Sequence, residues 1–449
     1  MEVGLPPGKG SVRSEVGFIA PIEGLRGIAV LLVILFHYAV VLDARFADPW
    51  IAAADSVPLL KVVVRNGMIG VDIFFLITGF LLVLPWLRHR EEGAPPPSAR
   101  EFYRRRVRRI LPAYYVHLLL LFFVFVPLVR GLEFWRYNPT HMFQNLSAHI
   151  FLVHYLSPWT SASVGVNGAL WSLSLEAQFY LLLPLVAPLF ARAPWRTAGA
   201  LLACAIAWRW AAMHHFDGLV AAMGAIDPRW NLDEAKARHL VSTQLPGYLG
   251  HFAVGMLAGR AWLRWRSDPP GRRGEAAWLA AVSAALVALW ALHAPEGWFL
   301  GELTWIAALA ALAVAMLGLV SRGTRAAQPL LANPALAFLG RISYSAYLYH
   351  LPLLLILDVY GPDTQGAWGW LPAYLAAVVA IAWLSYRYVE LPALQERARE
   401  PTSNAAAMAS TCSAATPQRT CGKRPASMSR PNTIGAMARP VSIPEYTKP

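Results

Sequence analysis

The sequence is poor in cysteine, in lysine and in charge of either sign. It has three Cys in 449 residues: Cys204 inside an apolar run, and Cys412 and Cys421 close to the end. No CxxC pair and no zinc spacing occurs, which excludes a disulfide framework and a thiolate metal site, and no metal is expected. Charged residues make up only 14% of the chain, against about 25% in soluble domains. That deficit argues against a soluble enzyme. Lysine contributes five of the 39 basic residues and arginine the rest. The net charge of +13 would fit a nucleic-acid partner if the arginines formed one patch. They cluster instead between apolar runs, so they are read as membrane topology and no nucleic acid is expected. No clean cleavage site follows the first apolar run, so it is read as an uncleaved anchor. No internal repeat and no appended soluble domain is visible.

What the chain has in plenty is apolar sequence. Hydrophobic residues reach 57%, and a membrane-crossing helix needs about 20 of them in a row. Ten such runs are found: 24–43, 67–87, 111–129, 168–190, 197–214, 245–263, 275–293, 300–320, 336–357 and 369–389. With the N-terminus in the cytoplasm, the inner connections 88–110, 191–196, 264–274 and 321–335 are rich in Arg. The longer outer connections 44–66, 130–167, 215–244, 294–299 and 358–368 hold few basic residues. This is the positive-inside bias, and an even count puts both termini in the cytoplasm. The expected fold is therefore all-α: a polytopic integral membrane protein of about ten transmembrane helices. A polar segment, 1–20, precedes a membrane domain, 21–398. The Ala/Ser/Thr/Pro-rich tail, 399–449, is expected to be disordered. Within 130–167, "FQNLSAHIFLVHYLSPW" is expected to form an interfacial helix.

Ionisable side chains inside apolar runs are costly, and they usually face a protein interior or a water-filled cavity. In "GLRGIAVLLVILFHY" (24–38), Arg26 and His37 are eleven residues apart. At about 3.6 residues per turn they share one helical stripe, roughly 16 Å apart along the axis. His37 falls roughly 9 Å below the outer end of its helix, Asp72 of the second helix roughly 8 Å in, and Glu176 of the fourth roughly 12 Å in. His251 of the sixth helix sits at a similar depth. The ninth brings His350 into the outer half, with Ser343 and Tyr347 on the same face by spacings of four and three. Each alone reads as well as a satisfied interhelical partner. Their common depth points to a polar cavity near the outer face. At the inner surface, Arg26 and "FYRRRVRR" (Arg104, Arg105, Arg106, Arg108, Arg109) form a second cluster. It is read as a topology signal with lipid contact, or as a site for an anionic ligand, since Arg binds phosphate bidentately.

These motifs resemble a known family. The R-x10-H of Arg26 and His37 is similar to the signature of acyltransferase family three, the bacterial integral-membrane O-acyltransferases that modify O-antigen and other surface glycans. "GVDIFFLITGFLL" (70–82) resembles that family's second helix, with Thr78 where Ser is commoner. "RRRVRRILPAYY" (104–115), "WSLSLEAQFY" (171–180), "LGRISYSAYLYHLPLL" (339–354) and "LSYRYVELP" (384–392) resemble further family motifs, in order. The resemblance covers about 20–393 and leaves out the tail. The large extracytoplasmic hydrolase-like domain that some members carry has no counterpart here.

The resemblance implies an acyl-CoA donor, by default acetyl-CoA, reaching the site from the cytoplasm. It implies an acceptor hydroxyl at the outer face of the bacterial cytoplasmic (inner) membrane, on a cell-surface polysaccharide such as lipopolysaccharide or on a lipid-linked sugar. It carries over His37 as catalytic, Arg26 and Arg104, Arg105, Arg106, Arg108 and Arg109 as donor contacts, and Glu176 and Asp72 as parts of the site. Trp171, Ser172, Tyr180, His251, Ser343, Tyr347 and His350 are candidates for the cavity. No bound cofactor is expected, since acyl-CoA is a co-substrate, and lipids are the surrounding partner. His37 would act as general base, its ring oriented by Glu176 or Asp72, or would itself carry the acyl group. The alternative reading is a transporter of a lipid-linked or sugar substrate, whose intramembrane His, Asp and Glu would couple to protons. Two matching halves, frequent in such proteins, are not seen.

Overall fold

The computed structural model describes residues 20–46, 67–161, 163–226, 237, 240–265, 331, 333–361 and 367–395. All regular structure among these residues is helical. The principal helices are α1 (Ala20–Phe46), α2 (Ile69–Glu92), α3 (Ala99–Leu120), α4 (Leu132–Tyr137), α5 (Pro139–Ile150), α6 (Trp171–Arg192), α7 (Pro194–His214), α8 (Phe216–Ile226), α9 (Leu245–Trp265), α10 (Pro334–Tyr360) and α11 (Ala367–Ser385). α3 runs on through a π turn at Leu121–Phe125 to Arg130, and α11 through another at Tyr386–Glu390 to Gln395.

Six of these helical stretches are long and apolar enough to cross a membrane: Pro21–Val41, Ile69–Glu92, Ala99–Arg130, Gly168–Arg192, Pro334–Tyr360 and Gly369–Gln395. The composition of α6 shows why. Leu181, Leu185 and Leu189 form an exposed apolar stripe at i, i+4, i+8, while Leu175, Phe179, Leu183 and Phe190 are buried on the other side. A helix apolar all round needs apolar surroundings on every face. The molecule is thus a polytopic membrane protein, all-helical among the described residues.

Ten crossings were expected, and six stand among the described residues. The expected spans 197–214 and 245–263 fold as α7 and α9, each 21 residues long. Arg, Trp, Gly and His dilute both, so neither reaches the apolar content of the six. The spans expected at 275–293 and 300–320 lie outside the described residues, as do the tail 399–449 and residues 1–19 of the N-terminal segment. Of the interfacial helix expected at 143–159, only 143–150 fall in α5, whose buried residues are Met142, Asn145 and His149; the chain then turns at 151–153 and continues as short helical pieces.

Contacts fix the relative directions of the helices. α1 and α10 run parallel, with Glu23 beside Gly340 and His37 beside His350. α2, α6 and α9 run together in the opposite sense: Asp72 meets His251, Gly255 meets Leu76, and Phe75 and Thr78 meet Trp171 and Glu176. α3 follows α10, and α11 returns against it. Several glycines set close backbone approaches, two of them at these crossings. A Cβ at Gly340 would overlap the carbonyl oxygen of Glu23, and one at Gly255 would overlap that of Leu76. Small residues of this kind allow membrane helices to pack backbone to backbone.

α10 contains Pro352, which has no N–H for the carbonyl four residues earlier. That carbonyl, of Leu348, accepts a hydrogen bond from Asn167 Nδ2 at 2.9 Å instead. Tyr374 of α11 donates to the carbonyl of His350 at 2.9 Å. The segment before α6 and the helix α11 thus both grip the same turn of α10.

Candidate active site

The bundle has two polar ends, joined by α1. At one end, His37 is half-buried and its Nδ1 lies 2.9 Å from the carbonyl of Val33, one turn earlier. The same nitrogen lies 3.3 Å from Nε2 of His350, with the two ring centroids 4.9 Å apart. His350 is fully buried, and its Nδ1 lies 2.8 Å from the carbonyl of Tyr347. Tyr347 donates its hydroxyl hydrogen to the carbonyl of Ala169 at 2.6 Å, and Ser172 Oγ lies 2.6 Å from that hydroxyl. α1 and α10 therefore meet at His37, and Tyr347 ties α10 to the start of α6. Of the sequence-derived cavity residues, His350, Tyr347 and Ser172 belong to this group. Ser343 is buried one turn before Tyr347, and its hydroxyl has no hydrogen-bond partner among the described residues.

Asp72 and Glu176 were expected beside His37; their hydrogen bonds among the described residues go to other partners. Asp72 faces His251 across the α2–α9 contact, with His251 Nε2 3.0 Å from Asp72 Oδ1. Phe75 and Tyr248 flank the ring of His251, and Trp171 packs on the same two aromatics. Glu176 accepts a hydrogen bond from Thr78 Oγ1 at 2.8 Å and another from the Tyr180 hydroxyl. The physical reason is register. Depths counted from helix ends ignore interhelical contacts such as Gly70 on Ala29 and Gly255 on Leu76, which fix how α2 lies on α1 and α9 on α2.

Glu176 belongs to the arginine end. The Arg106 guanidinium lies 6.0 Å from the ring centre of Tyr180 and 5.9 Å from that of Phe102. Arg109 and Glu176 both act electrostatically on Arg106. Arg26 pairs with Glu23 at 3.4 Å and feels Arg109, Glu390 and Glu176. Phe102, Arg106, Arg109 and the buried Ala113 recur at spacings of four and three, so they line one face of α3. Arg104 and Arg105 turn away and pair with Glu101 of the same helix at 2.6 and 3.4 Å. Arg108 is half-buried. The basic segment therefore divides: Arg106 and Arg109 join Arg26, while Arg104 and Arg105 belong to the helix surface.

Several polar groups escaped the sequence reading. Glu390 is buried and accepts from Ser345, whose Oγ also lies 2.8 Å from Ser385 Oγ. It sits in a π turn, a local insertion frequent at functional sites. A hydropathy reading has no access to that insertion. Outside the spans, the rings of His149 and His154 stack 4.0 Å apart. His149 Nε2 lies 2.7 Å from Ser163 Oγ, and its Nδ1 lies 2.7 Å from the carbonyl of Asn145. Burial pushes His154 down to about 4, and burial together with His154 holds His149 well below the usual imidazole range. Both rings are therefore neutral at pH 7. Their signal in the sequence was only a pair of histidines five residues apart.

A helical membrane bundle with an arginine cluster at one end and a half-exposed histidine at the other defines a class rather than a single protein. The family model described as an acyltransferase domain matches residues 19–387, and the chain belongs to that family. A Staphylococcus aureus (strain COL) protein named "Putative O-acetyltransferase" is 23% identical over 407 residues, which are 85% of this chain and 58% of that protein. The chain thus spans little more than half the length of that relative. Nodulation protein 10 of Rhizobium leguminosarum bv. viciae is 29% identical over 343 residues, covering 73% of this chain and 82% of that one. The "Putative membrane-bound transacylase BcsY" of Komagataeibacter xylinus is 27% identical over 404 residues, 85% of this chain and 84% of that one. No solved structure matches.

Proposed function

We propose that the chain is an O-acyltransferase of the bacterial inner membrane. It moves an acyl group, by default acetyl, from cytoplasmic acyl-CoA to a hydroxyl at the outer face. The observation that carries this reading is a single uninterrupted helix, α1, with Arg26 in an arginine cluster and His37 eleven residues on. Coenzyme A is a polyanion at one end and a thioester at the other. Arg26, Arg106 and Arg109 hold its phosphates, Arg being suited to bidentate phosphate contacts. The flexible arm follows α1, so that the thioester reaches His37.

The chemistry is an acyl substitution. The acceptor oxygen bonds to the thioester carbon as His37 takes the hydroxyl proton. The C–S bond then breaks, and the coenzyme A thiolate leaves with the proton returned by His37. The products are an ester and free coenzyme A. The acceptor in this reading is a glycan or lipid-linked sugar, the class that the family resemblance implies, while the names of the relatives support acyl transfer itself. The test is release of free coenzyme A from acetyl-CoA by the full-length protein in membranes of its host, which hold the natural acceptor. Release is expected from wild type and absent from His37→Ala at equal protein level. A His37→Ala variant as active as wild type would overturn the reading. Wild-type membranes that consume no acetyl-CoA would point to transport instead.

A further inference from the structure

We propose that His350 is the positioning residue of His37: it holds the proton of His37 on Nδ1 and so leaves Nε2 as the reacting nitrogen. The inference rests on the acyltransferase reading above. It starts from two carbonyl groups, which only accept hydrogen bonds. The Tyr347 carbonyl lies 2.8 Å from His350 Nδ1, so that nitrogen carries a hydrogen. A neutral His350 then presents a lone pair on Nε2, 3.3 Å from His37 Nδ1. The Val33 carbonyl, 2.9 Å from the same His37 nitrogen, is a second acceptor. Two acceptors therefore converge on His37 Nδ1 and no donor does. The Nδ1–H tautomer follows, with the Nε2 lone pair free to take a proton.

The role usually given to a carboxylate beside a catalytic histidine is orientation and stabilisation of the imidazolium. Among the described residues no carboxylate bonds His37, because Asp72 and Glu176 are committed to His251 and to Thr78 and Tyr180. A neutral imidazole does the same work with less charge. When Nε2 takes the acceptor's proton, the Nδ1–H donates from a cation, and such bonds are roughly twice as strong as neutral ones. The surroundings fix His350 for this task. The side chain is fully buried, Tyr374 binds its carbonyl, and Asn167 binds the carbonyl freed by Pro352 on the same turn.

The test replaces His350 by Gln, whose amide oxygen can accept from Nδ1–H, and by Met, which fills similar space without a strong acceptor. Coenzyme A release from acetyl-CoA is measured in host membranes at matched protein level. His350→Met is expected to lose about 10- to 100-fold in kcat, the size of one hydrogen bond to a charged group, with KM for acetyl-CoA within about twofold of wild type. His350→Gln is expected to recover most of that loss. Equal activity of the Met and Gln variants, high or low, overturns the inference, because packing alone would not separate them. A variant that fails to insert is covered by a measurement on intact wild-type protein: ring 15N shifts of labelled histidine, with His37 assigned by difference from His37→Gln. Protonated Nδ1 and bare Nε2 are expected, and the reverse tautomer overturns the inference. An active His37→Ala would instead overturn the acyltransferase reading on which it rests.

Discussion

His251 pairs with a carboxylate, and His37 does not. His251 is 1% exposed, and Asp72 opposite it is 3% exposed. The pair is closed in by Phe75 and Tyr248 and joins α2 to α9. His37 is half-buried, and its Nε2 forms no hydrogen bond among the described residues. By motif alone, an Asp–His couple looks the more catalytic of the two. Access decides otherwise. A couple buried between α2 and α9 holds helices together, whereas an oriented ring with one open nitrogen can meet a substrate.

The contrast breaks most readily at His37. His37→Ala is expected to lose at least 100-fold in acyl transfer, within the 10²–10⁴-fold range of general-base removal, at unchanged membrane level. Acetyl-CoA turnover with immunoblot quantification checks it. Acid comes next, acting on the third kind of histidine, one buried without a charge partner. His154 is held near 4 in the folded chain, below the ordinary imidazole value of 6.5. The unfolded chain therefore binds the extra proton first. Stability is full above pH 6.5 and declines as pH falls from 6.5 toward 4, by about 3 kcal/mol at the lower limit. Hydrogen exchange at 149–167, followed from pH 7 to pH 4.5, is expected to accelerate, and His154→Phe is expected to flatten the dependence.

Asp72→Ala sharpens the comparison from the other side. Leaving His251 buried without its carboxylate costs about 1.5–3 kcal/mol. A lower thermal midpoint in detergent is expected, with kcat per folded molecule near that of wild type. A kcat loss as large as that of His37→Ala would mean that Asp72 acts in the chemistry after all. The smallest effects separate the arginines. Arg106→Gln is expected to weaken binding of a non-hydrolysable acetyl-CoA analogue by about 10- to 100-fold. Arg104→Gln, whose partner is Glu101 at an exposed site, is expected to change it by less than about twofold, as for an ordinary surface pair. Calorimetric titration of the two variants makes the distinction.

What was legible in the sequence follows from what is local. Helix content, the runs that became α1, α2, α3, α6 and α10, and the common stripe of Arg26 and His37 depend on periodicity within about 20 residues. The hydrogen-bond partners of Asp72 and Glu176 were not legible, because interhelical register depends on residues far apart in sequence. Gly255 against Leu76 is one such contact, and Thr78 against Glu176 another. The division within the basic segment was in principle visible, since Phe102, Arg106 and Arg109 share spacings of four and three. Glu390 was quoted within its motif but not singled out, because the π turn that carries it changes the helical period it would be read against. His350 was read as one of the cavity candidates, but its bond to His37 depends on the sliding of α10 along α1.

That sliding is fixed ten residues away from the histidines. At Gly340, α10 touches α1 with no atom between it and the Glu23 carbonyl, so the crossing has no slack. Ten residues of helix form a stiff rod of roughly 15 Å between this contact and His350. Catalytic groups work only when held to within about half an ångström of their productive placement. A single methyl group at the pivot would exceed that tolerance at once, and the rod would carry the error to its far end as a tilt. The molecule is in this sense a calibrated instrument, with its zero set at a position that takes no part in the reaction. A hydrogen atom at residue 340 keeps the two imidazoles in alignment.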